Sequence, residues 1–321
     1  MNSVLLTGIN GQVGSYLAEF YLKKGWEVHG FARQRADLSF LKDIEAEIHL
    51  HIQDIRDPHG VWAILHDLEP DIIHHLAAMS YVPYSWTSPI DTFATNVLGT
   101  INMLEAVRGA SPDSIFHFAG SSEEYGIVTP DAIPLKEDSV PQPGSPYGIS
   151  KYTGDLLCQQ YARTYGLKTK ISRAFNHTSP RRGKVFASMQ IAMQTLEIKH
   201  GKRTAFTLGN LSSVRDFTDC RDTIRAYYEM VTNPEILSGK PYNICTGKGF
   251  AIRDLIFFAV EAADLPAVPD IEQDPARMRP SDLPILVGDP TRFKMATGWE
   301  PQYTMKETMR WIIETLEKEL Y

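Results

Sequence analysis

A short apolar run, Ser3-Val4-Leu5-Leu6, leads directly into Thr7-Gly8-Ile9-Asn10-Gly11-Gln12-Val13-Gly14 and then into a helix-like stretch over residues 12–24. A strand that ends in glycines at this spacing and turns at once into a helix opens a parallel βαβ unit. The glycines permit a tight turn and let the backbone approach a pyrophosphate. The first turn of the helix meanwhile offers N–H groups with no intrahelical partner. Gly8, Gly11, Gln12, Val13 and Gly14 are therefore the first candidates for a dinucleotide site.

Apolar and amphipathic segments alternate downstream. Residues 26–32, 48–53, 72–76 and 115–119 read as strands, each closed by small or polar residues. This predicts an α/β fold with a Rossmann-type doubly wound parallel sheet, whose ligands bind in the crevice at the carboxyl ends of the strands. After about residue 171 a scatter of prolines breaks the pattern, leaving helix-like stretches at 188–200, 219–231 and 304–320. We expect residues 1–170 to form the nucleotide-binding domain. Residues 171–321 should form mainly a smaller α/β lobe that closes over the crevice and selects the substrate, with the chain crossing between the two.

At 321 residues with 43% hydrophobic side chains, the chain can bury a substantial core. A net charge of −7 argues against nucleic acid or an anionic membrane as the main partner. No apolar run approaches a membrane span, and the first strand begins too close to Met1 for a signal peptide. Cys158, Cys220 and Cys245 are widely spaced and lack a metal-ligand pattern. They read as buried, reduced thiols of a cytoplasmic protein, and no metal site is expected.

The end of the second strand reports on the nucleotide. NAD-binding chains carry an acid there for the ribose 2′-hydroxyl. This chain has Ala32-Arg33-Gln34-Arg35-Ala36, and two cations suit the 2′-phosphate of NADP. Asp54 and Ile55, after the third strand, are placed to flank the adenine at its amino group and its face. Leu76, Ala77 and Ala78 line the crevice with small groups.

A hydroxyl, an acid and a Tyr-x-x-x-Lys pair follow the fifth strand: Ser121, Glu123, Tyr147 and Lys151. Four residues apart on a helix, Tyr147 and Lys151 share a face. The cation should lower the phenol's pKa, so that Tyr147 can exchange a proton with a sugar hydroxyl while hydride moves at the same carbon. Ser121 can bond the reacting oxygen. Glu123 is either a structural carboxylate or a second base, one that removes the proton α to a newly formed ketone. Glu124, the next residue along a strand, would point to the opposite face.

Together these residues resemble extended short-chain dehydrogenases/reductases and, within them, the GDP-mannose 4,6-dehydratases. The residue 7–20 and 25–30 segments look like that group's opening, and Phe175-Asn176-His177-Thr178-Ser179-Pro180-Arg181-Arg182-Gly183 looks like its Phe-Asn-His-Glu-Ser-Pro-Arg-Arg-Gly. The resemblance implies that Ser121, Glu123 and Tyr147 are catalytic. It further implies that Lys151, His177, Arg182 and residues 33–36 contact NADP, and that Ser80, Asn176, Arg215, Arg279 and Asp282 hold a GDP-sugar. Guanidinium groups such as those of Arg215 and Arg279 make bidentate diphosphate clamps.

Departures from the group pull the other way. Its Thr-Ser-Glu-Leu-Tyr-Gly is Ser121-Ser122-Glu123-Glu124-Tyr125-Gly126 here, an expected lysine corresponds to Gln190, and the loop after Arg33 is shortened. Ser-Ser-Glu-Glu-Tyr-Gly and Val214-Arg215-Asp216-Phe217-Thr218-Asp219 resemble instead the sister GDP-4-keto-6-deoxymannose reductases. Two activities follow: a 4,6-dehydratase recycling bound NADP, which needs Glu123, or a 4-ketoreductase consuming NADPH, which does not. A cofactor-binding regulator without turnover is a third reading. Pairing of residues 96–108 and 146–165, as in the family's four-helix interface, implies a homodimer, with a tetramer left open.

Overall fold

Five strands form where the apolar runs place them: β1 (Ser3–Thr7), β2 (Glu27–Ala32), β3 (Ile48–Ile52), β4 (Ile72–His75) and β5 (Ile115–Ser121). This is a computed structural model, and it describes residues 2–275 and 283–321. A sixth strand, β6 (Lys168–Ala174), has no clear apolar run because Lys168, Lys170 and Arg173 interrupt it. β5 runs two residues further than its apolar pattern suggests, so Gly120 and Ser121 pair with Arg173 and Ala174.

With the strand Pro241–Ile244, these form a seven-stranded parallel sheet in the order Pro241–Ile244, β6, β5, β4, β1, β2, β3. The order reverses at β1, which pairs with β2 on one side and β4 on the other. In such sheets the crevice opens at that reversal. Alternate residues feed two cores. Val4, Leu6 and Val28 pack with the helices Gln12–Lys23 and Cys220–Thr232. Leu5, Phe31 and Phe116 pack with the helices Pro58–Leu68, Gly99–Ala110 and Pro146–Tyr165.

Polar side chains inside the sheet are satisfied by one another. Tyr21 Oη lies 2.8 Å from His74 Nε2, His74 Nδ1 lies 2.8 Å from His117 Nδ1, and His117 Nε2 lies 2.9 Å from Ser172 Oγ. A buried polar group that lacked such a partner would cost the fold its desolvation energy.

The second half builds smaller sheets. Val214–Asp219 pairs with Gly249–Ala251, Ile285–Leu286 and Asn176–Thr178, while Ala205–Leu208 pairs with Asp270–Gln273. A separate apolar core lies among the helices Ala187–Lys199, Ile252–Ala262 and Met305–Leu320. The last helix is stopped at its N-terminus by a capping box: Thr304 Oγ1 accepts from the Glu307 N–H, and Glu307 Oε2 accepts from the Thr304 N–H at 2.7 Å. All three cysteines are buried and form no disulfide. Among the described residues no helix is long and apolar enough to cross a membrane.

Candidate active site

A cleft of about 1170 Å³ opens at the carboxyl ends of the strands. The expected site residues within the described part of the chain line it, except Gln34 of the residue 33–36 loop; Arg279 and Asp282 lie outside the described residues.

At its floor Gly8 adopts φ +69°, a conformation that suits glycine. A Cβ at Gly14 would stand 2.3 Å from the Gly8 carbonyl oxygen, so the helix can start this close to the turn only with glycine there. The helix begins without a side-chain cap, and Gln12 Nε2 is buried with no hydrogen-bond partner. Thr7 Oγ1 accepts the N–H groups of Leu76 and Ala77 at 3.1 and 3.0 Å, fastening the glycine turn to the wall formed by Leu76, Ala77 and Ala78. Unpaired N–H groups, an orphaned amide and a backbone with no side chain in the way fit a dinucleotide pyrophosphate.

Arg33 and Arg35 are exposed at the rim, Arg35 with φ +61°. An acid, Asp37, follows them, but its carboxylate accepts the Ser39 N–H at 2.9 Å and stays within its own loop. The adenine reading of Asp54 and Ile55 is narrower than expected. The Asp54 carboxylate is held by Arg56, whose Nη2 lies 2.7 Å away, and that bond keeps the acid below its usual range. Ile55 is only 4% exposed and packs on Gly99, so it offers the cleft little more than an edge.

The helix Pro146–Tyr165 carries Tyr147 and Lys151 and is started by Ser145, whose Oγ accepts the Gly148 N–H at 3.0 Å. Gly148 lets this helix lie against the backbone of Glu123, since a Cβ there would approach the Glu123 carbonyl to 2.6 Å. Burial pushes the Tyr147 phenol up to about 12, opposed by a hydrogen bond with Ser121 and by the charge of Arg182. Lys151, expected to supply that charge, instead donates from Nζ to the Ala119 carbonyl at 2.8 Å. Burial draws Lys151 down to about 8. In this arrangement the Arg182 guanidinium, from the Phe-Asn-His segment, adds a positive charge near the phenol that lowers its pKa.

Ser122–Glu124 form a single 3-10 turn rather than a continuation of the strand. The turn still separates the two acids. Glu123 lines the cleft and its charge raises the Tyr147 pKa, whereas Glu124 is fully buried.

His177, Asn176, Arg182 and Arg215 close the opposite side. His177 Nδ1 lies 3.1 Å from the Phe175 carbonyl oxygen, and burial lowers its pKa to about 4. Arg182 donates to Gln12 Oε1 at 3.0 Å and stacks 3.5 Å over Phe186. Arg215 is 6% exposed and donates to the Val214 carbonyl at 2.9 Å. The sequence reading missed Thr95, Phe186, Asn210 and Tyr227, all of which line the cleft. Phe186 had a faint signal as the aromatic just beyond the two arginines. Asn210 lies in Gly209-Asn210-x-x-x-x-Arg215-Asp216, the segment that carries Arg215, and Thr95 and Tyr227 come from segments with no motif.

The profile of the family described as GDP-mannose 4,6 dehydratase matches residues 5–312. The chain belongs to this GDP-mannose 4,6-dehydratase family. Among its relatives in the family is a protein from Yersinia enterocolitica named GDP-mannose 4,6-dehydratase, 31% identical over 96% of this chain and 91% of that one. A Pseudomonas aeruginosa protein named GDP-6-deoxy-D-mannose reductase is 33% identical over 83% of this chain and 86% of its own length. The structure of RMD from Pseudomonas aeruginosa complexed with NADPH superposes with a TM-score of 0.85 at 29% identity, over 100% of both chains. Like the dehydratase family's other extended short-chain relatives, the chain is of an enzyme fold, built on the same parallel sheet.

Proposed function

We propose that this chain is a nucleotide-sugar 4,6-dehydratase acting on GDP-mannose. The observation that carries the reading is that Glu123, Ser121 and Tyr147 face one cleft, giving a second base beside the hydroxyl–phenol pair. A 4-ketoreductase does not need that base, although the Ser-Ser-Glu-Glu-Tyr-Gly segment that carries it also resembles the reductases. The reductase remains the second reading, favoured by the similarity to the Pseudomonas aeruginosa reductase.

Gly8, Gly11, Gln12, Val13 and Gly14 would hold the pyrophosphate of NADP, Arg33 and Arg35 its 2′-phosphate, and Lys151, His177 and Arg182 its nicotinamide half. Bound there, the dinucleotide supplies a hydride acceptor at carbon 4 of the sugar and a hydride donor at carbon 6, so no net oxidation results. Tyr147, as its phenolate, takes the carbon 4 hydroxyl proton; the nearby Arg182 charge favours that ionised form against burial. Ser121 bonds the same oxygen and steadies it as it becomes a carbonyl. Glu123 then removes the proton at carbon 5, acidified by the neighbouring carbonyl, and passes it to the departing carbon 6 hydroxyl, which leaves as water. As hydride returns to carbon 6, carbon 5 regains a proton, the one that Tyr147 took from the carbon 4 hydroxyl. Asn176, Ser80 and Arg215 hold the sugar and diphosphate, with Arg279 and Asp282 assigned the same task by family likeness.

Residues 171–321 serve mainly as the substrate lobe. The protein is read as a cytoplasmic homodimer, with no nucleic acid or membrane partner. Incubation with GDP-mannose, followed by product mass and nicotinamide absorbance together, tests the reading. Loss of one water without cofactor turnover is expected. No reaction, but reduction of the 4-keto sugar at the expense of NADPH, would replace it with the reductase.

A further inference from the structure

Away from the cleft, the parallel pair β2–β3 at the sheet edge carries four coordinating side chains on one face. His29 is in register with His49 and Phe31 with His51, and Glu27 lies two residues before His29 on the same side. Nε2 of His29 and Nε2 of His49 approach the same oxygen, Glu27 Oε1, at 3.2 and 3.4 Å. The three donor atoms all lie within 4.8 Å of one another. A tetrahedron with metal–ligand bonds of about 2.0–2.1 Å has edges of roughly 3.3–3.4 Å, so two of the three edges already match.

We propose that Glu27, His29 and His49 form a binding site for one borderline-soft divalent cation of the Zn²⁺ class. A second observation supports it. The His29 side chain is 9% exposed, and its buried Nε2 has no polar contact of hydrogen-bond geometry beyond the 3.2 Å approach to Glu27 Oε1. His29 Nδ1 lies 3.1 Å from His51 Nε2, a contact that holds the ring with its Nε2 towards the cluster, as the outer partners of metal-bound imidazoles do. The His49 side chain is 60% exposed, which provides an entry path and leaves a fourth position to water. Two imidazoles and one carboxylate suit Zn²⁺, Co²⁺ or Ni²⁺ rather than Mg²⁺ or Ca²⁺. The bound ion would tie the edge strand β3 to β2. Linear spacing hides the site, because the donors meet only through the register of two strands separated by the residue 33–47 segment.

The test is a titration of the full-length protein with Zn²⁺ against a chromophoric chelator, repeated with Co²⁺ to read coordination from its visible absorption. One equivalent should bind with a dissociation constant in the micromolar range or tighter. His49→Ala and Glu27→Gln should each weaken binding by about tenfold or more. His66→Ala, which alters a histidine on the helix Pro58–Leu68, should change nothing. Thermal unfolding of the metal-free variants identifies any that fail to fold, and exposed His49 is chosen to avoid this. Absence of saturable binding, or wild-type affinity in folded His49→Ala, would overturn the proposal, the latter by showing that the ions bind elsewhere on the surface.

Discussion

Glu124 Oε1 accepts the backbone N–H of Ser121 at 2.7 Å, from a position with no exposure to solvent. Its other oxygen lies 3.2 Å from Arg173 Nε, which also donates to Asp155 at 2.8 Å. Two buried carboxyl groups thus share one guanidinium, and burial together with Asp155 drives the Glu124 pKa well above its ordinary value. Glu124 touches no reacting atom in this arrangement; it positions Ser121.

Because Glu124 has a strong tendency to hold a proton, Glu124→Gln should be close to neutral in thermal unfolding and in kcat. Glu124→Leu removes the acceptor for the Ser121 N–H, so it should cost about 1–3 kcal/mol and lower kcat more than it changes KM. Equal behaviour of the two variants in melts and steady-state kinetics would remove the positioning role.

Glu123→Gln should reduce dehydration of GDP-mannose by about 100-fold or more with an unchanged melting temperature, since the loss is of a base and not of a buried support. Tyr147→Phe should reduce it comparably. If Glu123→Gln keeps full dehydration, the carboxylate is structural. If Tyr147→Phe leaves the protein's biological output intact, the chain is a regulator.

Preference for NADP over NAD should reside in the rim arginines. The double variant Arg33→Ala/Arg35→Ala should weaken NADP binding by about tenfold or more while leaving NAD binding nearly unchanged. The difference should shrink as salt rises, because both side chains are exposed. Nucleotide titrations followed by intrinsic fluorescence at two ionic strengths check both parts.

Acid should weaken the fold. His74, His75 and His117 are held neutral by burial, His75 and His117 with pKa values near 3. As pH falls below about 6.5 the unfolded chain takes up protons that the folded chain refuses, at up to about 1.4 kcal/mol per pH unit for each histidine. Asp216 acts in the opposite direction: burial raises it to about 6, so the folded state binds its proton more tightly between about pH 4 and 6. Glu124 and Glu137, also raised by burial, act with Asp216, but His29, His51 and His177 are lowered as well, and these six histidines outnumber the three acids. Denaturant unfolding from pH 7.5 to 4.5 should show stability declining steadily below 6.5; a flat profile would mean the imidazoles are not held neutral.

The chain's own order of residues determined the parallel sheet, the glycine turn and the candidate catalytic and cofactor groups of the cleft. Those signals are local: a strand, a turn and a helix start within fourteen residues, and Tyr147 and Lys151 share a helix face whatever surrounds them. Tertiary structure decided how those groups are charged and oriented. Only folding sets Arg182 beside Tyr147 and turns Lys151 to the Ala119 carbonyl, and only burial against Arg173 makes Glu124 a support for Ser121. It also hid β6, whose Arg173 satisfies its charge inside the core, and it aligned Glu27, His29 and His49 across two strands. Electrostatics and register depend on distances between segments far apart in the chain, and a linear pattern does not carry those distances.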